Sequence, residues 1–236
     1  ERAHHERGQQ QQAAQQQIDS GPESVRHGIT TVFMGSCSLG ASLGNPEDIA
    51  DIFCRVEGIP RKYFIPILEQ KNWKTLSGYF EHLDELALGP NVSSFVPHSN
   101  IRMHTMGFER SVDSKAKPTA DELAQMRCLL QEGLDAGYVG LSVQTLPWDK
   151  LDGDRRRSKP LPSFFASWSE YRHLTKILRE RERVFQGVPN IVTKVNVLLF
   201  MLESAGIFRK PLRTTVISVV DLICDRKLWW LIPGLA

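Results

Sequence analysis

Several features that would place this chain in a common functional class are absent from its 236 residues. No apolar run reaches the roughly 18 residues that a membrane-spanning helix needs, and VNVLLFML at residues 195–202 is far too short. Basic residues number 29 and acidic residues 27, so the net charge of +2 gives no general argument for nucleic acid or an anionic membrane as a partner. The composition therefore indicates neither nucleic acid nor a membrane as a partner.

Cysteine is scarce and widely spaced, and the motif C-x-x-C is missing. The four cysteines are Cys37, Cys54, Cys128 and Cys224. This spacing argues against a disulfide framework or a structural zinc knuckle and favours a reducing compartment. The first residues also lack a hydrophobic signal core. We therefore expect a cytoplasmic protein.

Nucleotide-binding motifs are missing as well. The chain has no G-x-G-x-x-G after a predicted strand and no G-x-x-x-x-G-K-[ST], which reduces the case for a nucleotide-binding fold. Residues 1–20, ERAHHERGQQQQAAQQQIDS, are of low complexity, and we expect them to form a disordered tail. Residues 21–236 are expected to form the folded part.

Within the folded part, apolar strand-like segments alternate with amphipathic helices. Helix starts are predicted at Asn45 and at two S/T-x-x-E capping boxes, Thr119–Glu122 and Ser167–Glu170. Strands are predicted at Gly28–Met34, Asn91–Val96, Tyr138–Leu141, Val184–Val188 and Thr214–Val220, and the first and the last of them are expected to be buried. Such alternation indicates an α/β protein with a parallel sheet of about five βα units. It leaves open a doubly wound sheet or an incomplete (β/α)₈ barrel.

Chemistry in parallel α/β proteins collects at the carboxyl ends of the strands. The polar residues that follow or flank the ends of the five predicted strands are Cys37; His98 and Arg102; Ser142 and Gln144; Gln186 and Asn190; and Asp221. We expect them to share one face of the sheet. Cys37, in GITTVFMGSCSLG (residues 28–40), is open to three interpretations: a core residue, a nucleophile or a metal ligand. His98 and Arg102 are candidates for substrate binding or for loop contacts, and Ser142 lacks the G-x-S-x-G context of a nucleophile.

Four segments resemble a known family. HGITTVFMGSCSLG, NVSSFVPHSNIRMHTMG, KPTADELAQMRCLLQEGLDAGYVGLS and WSEYRHLTKILRERERVFQGVPN occur in the order and spacing of the amidohydrolase superfamily. They are similar to its N-acyl-D-amino-acid deacylase (D-aminoacylase) branch, whose signatures read roughly G-V-T-T-V-V-x-G-N-C-G, G-H-x-x-x-R and E-x-x-x-M-x-x-L-x-x-x-L-x-x-G-A-x-G-L-S. The resemblance covers most of residues 27–220.

The resemblance implies a (β/α)₈ TIM barrel of the metal-dependent hydrolase type, of which this chain would be an incomplete portion. It implies a divalent metal, zinc in most members, and hydrolysis of an N-acyl (D-)amino acid or a related small-molecule amide. Cys37 matches the position of a metal ligand, and His98, Arg102 and Ser142 are the expected substrate-binding residues. Ser36 and Ser38 replace the Asn and Gly of the family turn. The Trp148–Arg157 insert is a candidate for choosing the substrate.

The chain also departs from the family pattern. It has no His-x-His, and neither VFQGVPNI nor TTVISVVD offers the histidine expected on a later strand. The catalytic aspartate is expected beyond residue 236, and one cysteine falls short of the three protein ligands of a catalytic zinc.

Three hypotheses remain open. The chain is part of an amidohydrolase, or a non-catalytic binding or scaffold protein derived from that fold, or a hydrolase in which Cys37 and His98 form a nucleophile–base pair. An incomplete barrel exposes strand edges, so a homo-oligomer or the remainder of the barrel is expected to cover them.

Overall fold

The computed structural model describes residues 22–190, 194–207 and 209–217. Its helices and strands, in chain order, are α1 Pro22–Arg26, β1 Thr31–Met34, α2 Pro46–Phe53, α3 Arg61–Glu69, α4 Leu76–Asp84, β2 Asn91–Pro97, α5 His98–Met106, α6 Phe108–Ser111, α7 Ala120–Asp135, β3 Gly140–Gln144, α8 Trp168–Glu180, β4 Val184–Val188, α9 Lys194–Ser204 and β5 Arg213–Val216. Short 3₁₀ turns occupy Ser36–Ser38 and Pro162–Phe165. The tail at residues 1–20, Asp221 and Cys224 lie outside the described residues.

The five strands form one parallel sheet in the order β1-β2-β3-β4-β5. In the register, Pro97 pairs with Ser142 and Ser142 pairs with Gln186, so the carboxyl ends of these strands meet at one edge. A doubly wound sheet reverses its strand order partway, whereas a barrel adds each strand beside the previous one. The observed order is therefore that of a barrel wall, which resolves the choice that the sequence left open.

The main core lies on one face of the sheet. Leu141 and Val143 of β3 are buried together with Val96 and Phe185, and they pack against apolar side chains of α4, α7 and α8. Because side chains alternate along a strand, Ser142 between them points to the opposite face. The helices thus cover the outer face, and the inner face carries the polar residues of the strand ends.

Local capping signals explain two helix starts. The Asn45 side chain accepts a hydrogen bond from the Asp48 backbone N–H at 2.9 Å, and Thr119 and Glu122 form a complete capping box at the start of α7. The capping box predicted at Ser167 is half formed. Ser167 accepts from the Glu170 backbone N–H at 3.3 Å, but the Glu170 carboxylate turns into the interior and pairs with Arg102.

Two strands predicted to be buried are largely exposed. In β1 the exposure alternates and Phe33 is 57% exposed, while β5 is exposed along most of its length. Within the described ranges, β1 and β5 each pair with a neighbouring strand on one side only. Their other side is uncovered, and this explains why they are more exposed than predicted. The third predicted strand is also displaced: Tyr138 precedes β3, where its buried hydroxyl donates to the Leu76 carbonyl at 3.2 Å.

No helix in the described part of the chain combines the length and the apolar character that crossing a bilayer requires. This agrees with the sequence, in which every apolar run is short.

Gly133 provides a test of how closely α7 approaches the sheet. Alanine in place of a helix-interior glycine ordinarily stabilises a protein by about 1 kcal/mol. Here an added Cβ would lie 2.6 Å from Val96 Cγ2 and 3.2 Å from Leu76 Cδ1. We therefore expect Gly133→Ala to lower the free energy of unfolding by roughly 1–3 kcal/mol, measured by chemical denaturation. Gln125→Ala on the exposed face of α7 is the control, with an expected change within about 0.5 kcal/mol. A Gly133→Ala protein as stable as the parent would contradict the packing described.

Candidate functional site

Cys37 lies in a tight turn, Gly35–Ser38, which follows β1 directly and is called the Cys37 turn below. Gly35 has φ 72°, and a Cβ there would lie 2.2 Å from the Phe95 carbonyl oxygen, so only glycine fits. Cys37 and Ser38 have φ values of 54° and 63°. Such a conformation costs a non-glycine residue on the order of 1–3 kcal/mol and persists only where the surroundings enforce it.

Three buried serines enforce it. The Ser142 hydroxyl donates to the Gly35 carbonyl and accepts from the Ser38 backbone N–H at 3.1 Å. The Ser38 hydroxyl accepts from the Ser99 backbone N–H at 2.7 Å and donates to the Ser99 hydroxyl at 2.9 Å. The turn is thereby tied to β3 and to the start of α5.

These contacts explain why serine can stand at position 38, where the resembling family has glycine. The backbone keeps the left-handed conformation, and the added hydroxyl is used for hydrogen bonding. Ser142 was predicted to bind substrate, and that role stays a prediction. In this structure its hydroxyl is engaged by the backbone of the Cys37 turn.

His98 and Arg102 both face one buried carboxylate, that of Glu170. His98 Nε2 lies 3.1 Å from Glu170 Oε1, and its Nδ1 lies 3.1 Å from the Ser163 hydroxyl. Arg102 pairs with the other carboxylate oxygen and donates through Nε to the Ser111 carbonyl at 3.1 Å. Burial by itself would raise the pKa of Glu170, but the contacts with His98 and Arg102 outweigh it and lower that pKa below its usual value.

His98 and Arg102 therefore have a structural role as the partners of a buried carboxylate. Both are fully buried, and neither lines the cavity beside Cys37. A substrate contact by His98 or Arg102 stays a prediction that would require the pairs with Glu170 to open. The same geometry disfavours a Cys37–His98 nucleophile–base pair, because Ser163 and Glu170 occupy the surroundings of both ring nitrogens.

A cavity of about 560 Å³ lies next to the Cys37 turn at the carboxyl edge of the sheet. Its walls come from β1, the Cys37 turn, α2 and the residues after it, α4, β2, the end of β3, the following loop and the end of β4. The apolar and aromatic side chains of the wall are Phe33, Met34, Leu39, Ala41, Phe53, Val56, Tyr79, Leu146, Trp148 and Val188. Of the sequence-predicted polar residues, Cys37 and Gln144 line this cavity, whereas His98, Arg102, Ser142, Gln186 and Asn190 do not.

The thiol of Cys37 lies in an environment that keeps it protonated. Burial raises its pKa to about 11, and the nearby carboxylates of Asp149 and Glu57 contribute in the same direction. Asp149 also accepts a hydrogen bond from the Gln144 side-chain amide. Asp149 and Glu57 were not predicted from the sequence. Each is an acidic residue next to a bulky apolar one, and this pattern is too common in proteins to identify a site.

The metal-ligating side chains among the described residues do not make up a catalytic metal centre. Within residues 22–190, 194–207 and 209–217, no group of three or more His, Cys, Asp or Glu side chains is arranged to hold a metal ion. A catalytic zinc requires three protein ligands and an open position. Cys37 is one candidate ligand, so no reaction step through a metal can be derived from the described residues.

The insert that follows β3 is fixed by buried charge. Arg155 pairs with Asp51 at 2.6 Å and with Asp48 at 2.7 Å, and its guanidinium lies 3.8 Å from the centre of the Phe108 ring. The Asp152 backbone N–H donates to the Asp51 carbonyl at 2.8 Å. These contacts fasten the insert to α2. Asp51 was also missed from sequence, although a carboxylate among the buried apolar residues of α2 was a readable signal.

Comparison with known proteins gives two kinds of result. No family model matches the chain. An uncharacterised protein of Mycobacterium tuberculosis strain H37Rv is 46% identical over 202 residues, and so is one of Mycobacterium bovis. The match covers 84% of this chain and 33% of each of those proteins, so the chain spans about a third of the length of these curated relatives.

Solved structures agree in fold. A crystal structure of D-aminoacylase, described as defining a novel subset of amidohydrolases, has a TM-score of 0.61 and 17% identity, and the match covers 88% of this chain and 39% of that one. An N-acyl-D-glutamate deacylase from Bordetella bronchiseptica has a TM-score of 0.54 and 24% identity, with 74% and 32% covered. The chain has the fold of part of an amidohydrolase barrel. At these identities the likeness establishes the fold alone.

Removal of the buried Glu170 carboxylate should lower the stability of the fold. Glu170→Gln leaves the Arg102 charge unpaired in the interior, so the free energy of unfolding at pH 7 should fall by roughly 3–5 kcal/mol. A carboxyl with a lowered folded pKa stabilises the fold above its unfolded pKa, and this contribution is lost as the pH falls through the folded value. The difference between parent and variant should therefore shrink in acid, as measured by urea denaturation at several pH values.

Glu180 on the same helix is the control for that experiment. It faces Lys176 at 4.0 Å on the exposed surface. Glu180→Gln should change the free energy of unfolding by less than about 1 kcal/mol. Equal effects of the two variants would mean that the Glu170 pairs contribute no more than a surface ion pair.

The environment of Cys37 can be tested by alkylation. With a pKa of about 11, the reaction of Cys37 with iodoacetamide should accelerate about tenfold per pH unit between pH 8 and 10, because the thiolate is the reactive form. Asp149→Asn removes a charge that raises this pKa, so Cys37 should react a few-fold faster at pH 8. Mass spectrometry of the Cys37 peptide provides the rate, and the exposed Cys128 in the same sample is the control. An unchanged rate in Asp149→Asn would show that this carboxylate does not act on the thiol.

Proposed function

We propose that this chain builds part of the active site of a hydrolase acting on carbon–nitrogen bonds other than peptide bonds. The substrate would be an N-acyl D-amino acid or a related small amide. The observation that carries the proposal is the Cys37 turn. Its cysteine has a left-handed backbone conformation and lies at the carboxyl end of β1, beside a cavity. The surrounding fold is similar to that of a D-aminoacylase barrel. Chemistry in such barrels is located at this edge.

In this proposal Cys37 is one ligand of a divalent metal, zinc. One structural neighbour is described as complexed with zinc and with a phosphonate mimic of the tetrahedral intermediate, which is a property of that protein. The remaining ligands would come from residues outside the described part, because the described donors do not complete a site. Ser38, Ser99 and Ser142 would hold the thiol in a fixed direction, and binding of a metal would require the thiol to lose its proton.

A second candidate is a binding or scaffold protein derived from the same fold. It is favoured by one observation: within the described ranges, no group of three or more His, Cys, Asp or Glu side chains could hold a metal ion. This candidate predicts a folded chain without stoichiometric zinc and without hydrolysis.

Zinc content and amine release distinguish the two candidates. For the protein encoded by the complete open reading frame, the hydrolase proposal predicts about one zinc per molecule after incubation with Zn²⁺ and desalting. It also predicts release of free amine from N-acetyl-D-amino acids in preference to their L isomers. Cys37→Ala should reduce both bound zinc and amine release by at least about tenfold, a loss expected when a metal site is disturbed.

Cys128→Ala, which alters an exposed cysteine of α7, should leave zinc content and amine release unchanged. If the folded protein encoded by the complete open reading frame retains no zinc and releases no amine from any member of the panel, the hydrolase proposal is refuted and the scaffold candidate is supported.

A further inference from the structure

Basic residues are unevenly distributed along the chain. Between Arg172 and Arg213 the sequence has nine basic and three acidic residues, although the net charge of the whole chain is only +2. In the structure this segment runs from α8 to the start of β5. Positive charge is therefore concentrated on one part of the molecule, where it can attract an anion even though the total charge is small.

Four of these basic side chains line a second cavity. It has a volume of about 370 Å³ and lies between the last turn of α8 and the loop that leads into β5. Its basic lining residues are Arg179, Arg183, Lys210 and Arg213. Within the described ranges, no acidic residue other than Glu182 lines it. The wall of this cavity therefore carries a net positive charge at neutral pH.

This second cavity lies at the amino edge of the sheet. Arg213 is the first residue of β5 and pairs in the register with Val184, the first residue of β4, which Arg183 directly precedes. The Cys37 turn lies at the other edge, and the five residues of β4 separate the two edges by roughly 15 Å. A ligand of the second cavity would therefore not touch the groups assigned to hydrolysis.

A buried ion pair holds the walls of the second cavity together. The Glu203 carboxylate of α9 is buried and lies 3.3 Å from the Arg179 guanidinium of α8. Arg179 also donates through Nε to the Lys210 carbonyl at 2.7 Å, which fastens the loop before β5 to both helices. Arg172 and Arg209 lie 3.7 Å and 3.3 Å from the same carboxylate. Glu203 thus faces three arginines, and its charge is not available to neutralise the rest of the cavity.

The other basic side chains of the cavity are poorly matched by acidic ones. In the described part of the chain, neither Arg183 nor Arg213 has a hydrogen bond or an ion pair through its side chain. Lys210 faces Glu182 at 3.8 Å on the exposed surface, where such a pair is weak. Cations gathered in a concave surface repel one another, and an anion that binds among them relieves this repulsion.

We propose that the second cavity binds a phosphate group, either free or as part of a small phosphate monoester. Arg183 and Arg213 would be its main partners, because the planar donors of a guanidinium match the oxygens of a phosphate. The volume of about 370 Å³ is larger than one phosphate ion and lies within the range of small-molecule sites. The cavity therefore has room for the organic part of an ester. This site is separate from the proposed hydrolysis.

Titration of the protein encoded by the complete open reading frame tests the proposal. The protein is treated with a chelator first, so that no metal ion elsewhere in it holds the probe. The probes are inorganic phosphate, glycerol phosphate and acetate at constant ionic strength, followed by calorimetry. Phosphate and glycerol phosphate should bind at least about tenfold more tightly than acetate, because a phosphate carries more charge and more acceptor oxygens. A difference between the two phosphates shows whether the free ion or the ester is the better ligand.

Variants assign the binding to this cavity. Arg183→Gln and Arg213→Gln should each weaken phosphate binding by about tenfold, which is the usual effect of losing one charged hydrogen bond. Arg181→Gln is the matched control, since Arg181 is paired with Asp135 and does not line the cavity, and it should change the affinity by less than about twofold. Glu182→Gln removes the acidic lining residue and should strengthen binding a few-fold, an effect opposite in sign to that of structural damage.

Three results would overturn the proposal: acetate binding as tightly as phosphate, Arg183→Gln and Arg213→Gln binding phosphate like the parent, or Arg181→Gln weakening it as much as they do. Tight binding of a 20-nucleotide single-stranded DNA that requires Arg183 and Arg213, without binding of either small phosphate, would also overturn it, because the basic residues would then serve a nucleic acid. None of these readouts depends on zinc content or amine release, so the site and the hydrolase proposal stand or fall separately.

Discussion

The carboxylate of Glu170 lies in the interior between the guanidinium of Arg102 and the imidazole of His98, and the arrangement of the site depends on it. Taking these groups out of water is costly, and the cost is offset only when each finds its partner. Glu170 belongs to the first turn of α8, whereas His98 and Arg102 belong to α5, directly after β2. The ionic contacts therefore fix how two crossover helices meet at the carboxyl edge of the sheet.

From this ionic centre a chain of hydrogen bonds extends to the Cys37 turn. The Ser163 hydroxyl contacts His98 and accepts from the Gln144 backbone N–H at 3.0 Å, and the Ser163 backbone N–H donates to the Ser99 hydroxyl at 3.2 Å. Ser99 in turn bonds to Ser38. The strained conformation at Cys37 is thus the outer end of a buried polar network that links the turn to β3 and α5. The hydrogen bonds hold the backbone that carries the thiol, which suits a ligand or a binding-site residue better than a mobile surface group.

Several parts of the fold could be predicted because their causes are local. Asn45 and Thr119 start helices through hydrogen bonds that span three residues, and the parallel sheet follows from the alternation of strands and helices. The same local reasoning was incomplete at Ser167. The serine caps the helix as predicted, but the glutamate of the capping-box sequence does not bond back to the serine backbone. The Glu170 side chain left the cap for Arg102, 68 residues away, because a buried guanidinium offers a stronger partner than one backbone N–H. Long-range pairing of this kind leaves no periodic pattern in the sequence.

Sequence by itself determined the α/β class, the starts of α2, α7 and α8, and the location of a cysteine at the end of the first strand, since these depend on neighbouring residues and on hydrophobic period. The tertiary structure alone decided what the polar residues at the strand ends do. The carboxyl edge of the sheet carries His98, Arg102 and Ser142 as well as Cys37, yet these three side chains make structural contacts and do not line the cavity. The cavity is lined instead by Asp149, Glu57 and Trp148, among others. The physical reason is that burial and partner distance, which set the role of a charged or hydroxyl side chain, arise only when segments more than 60 residues apart come into contact.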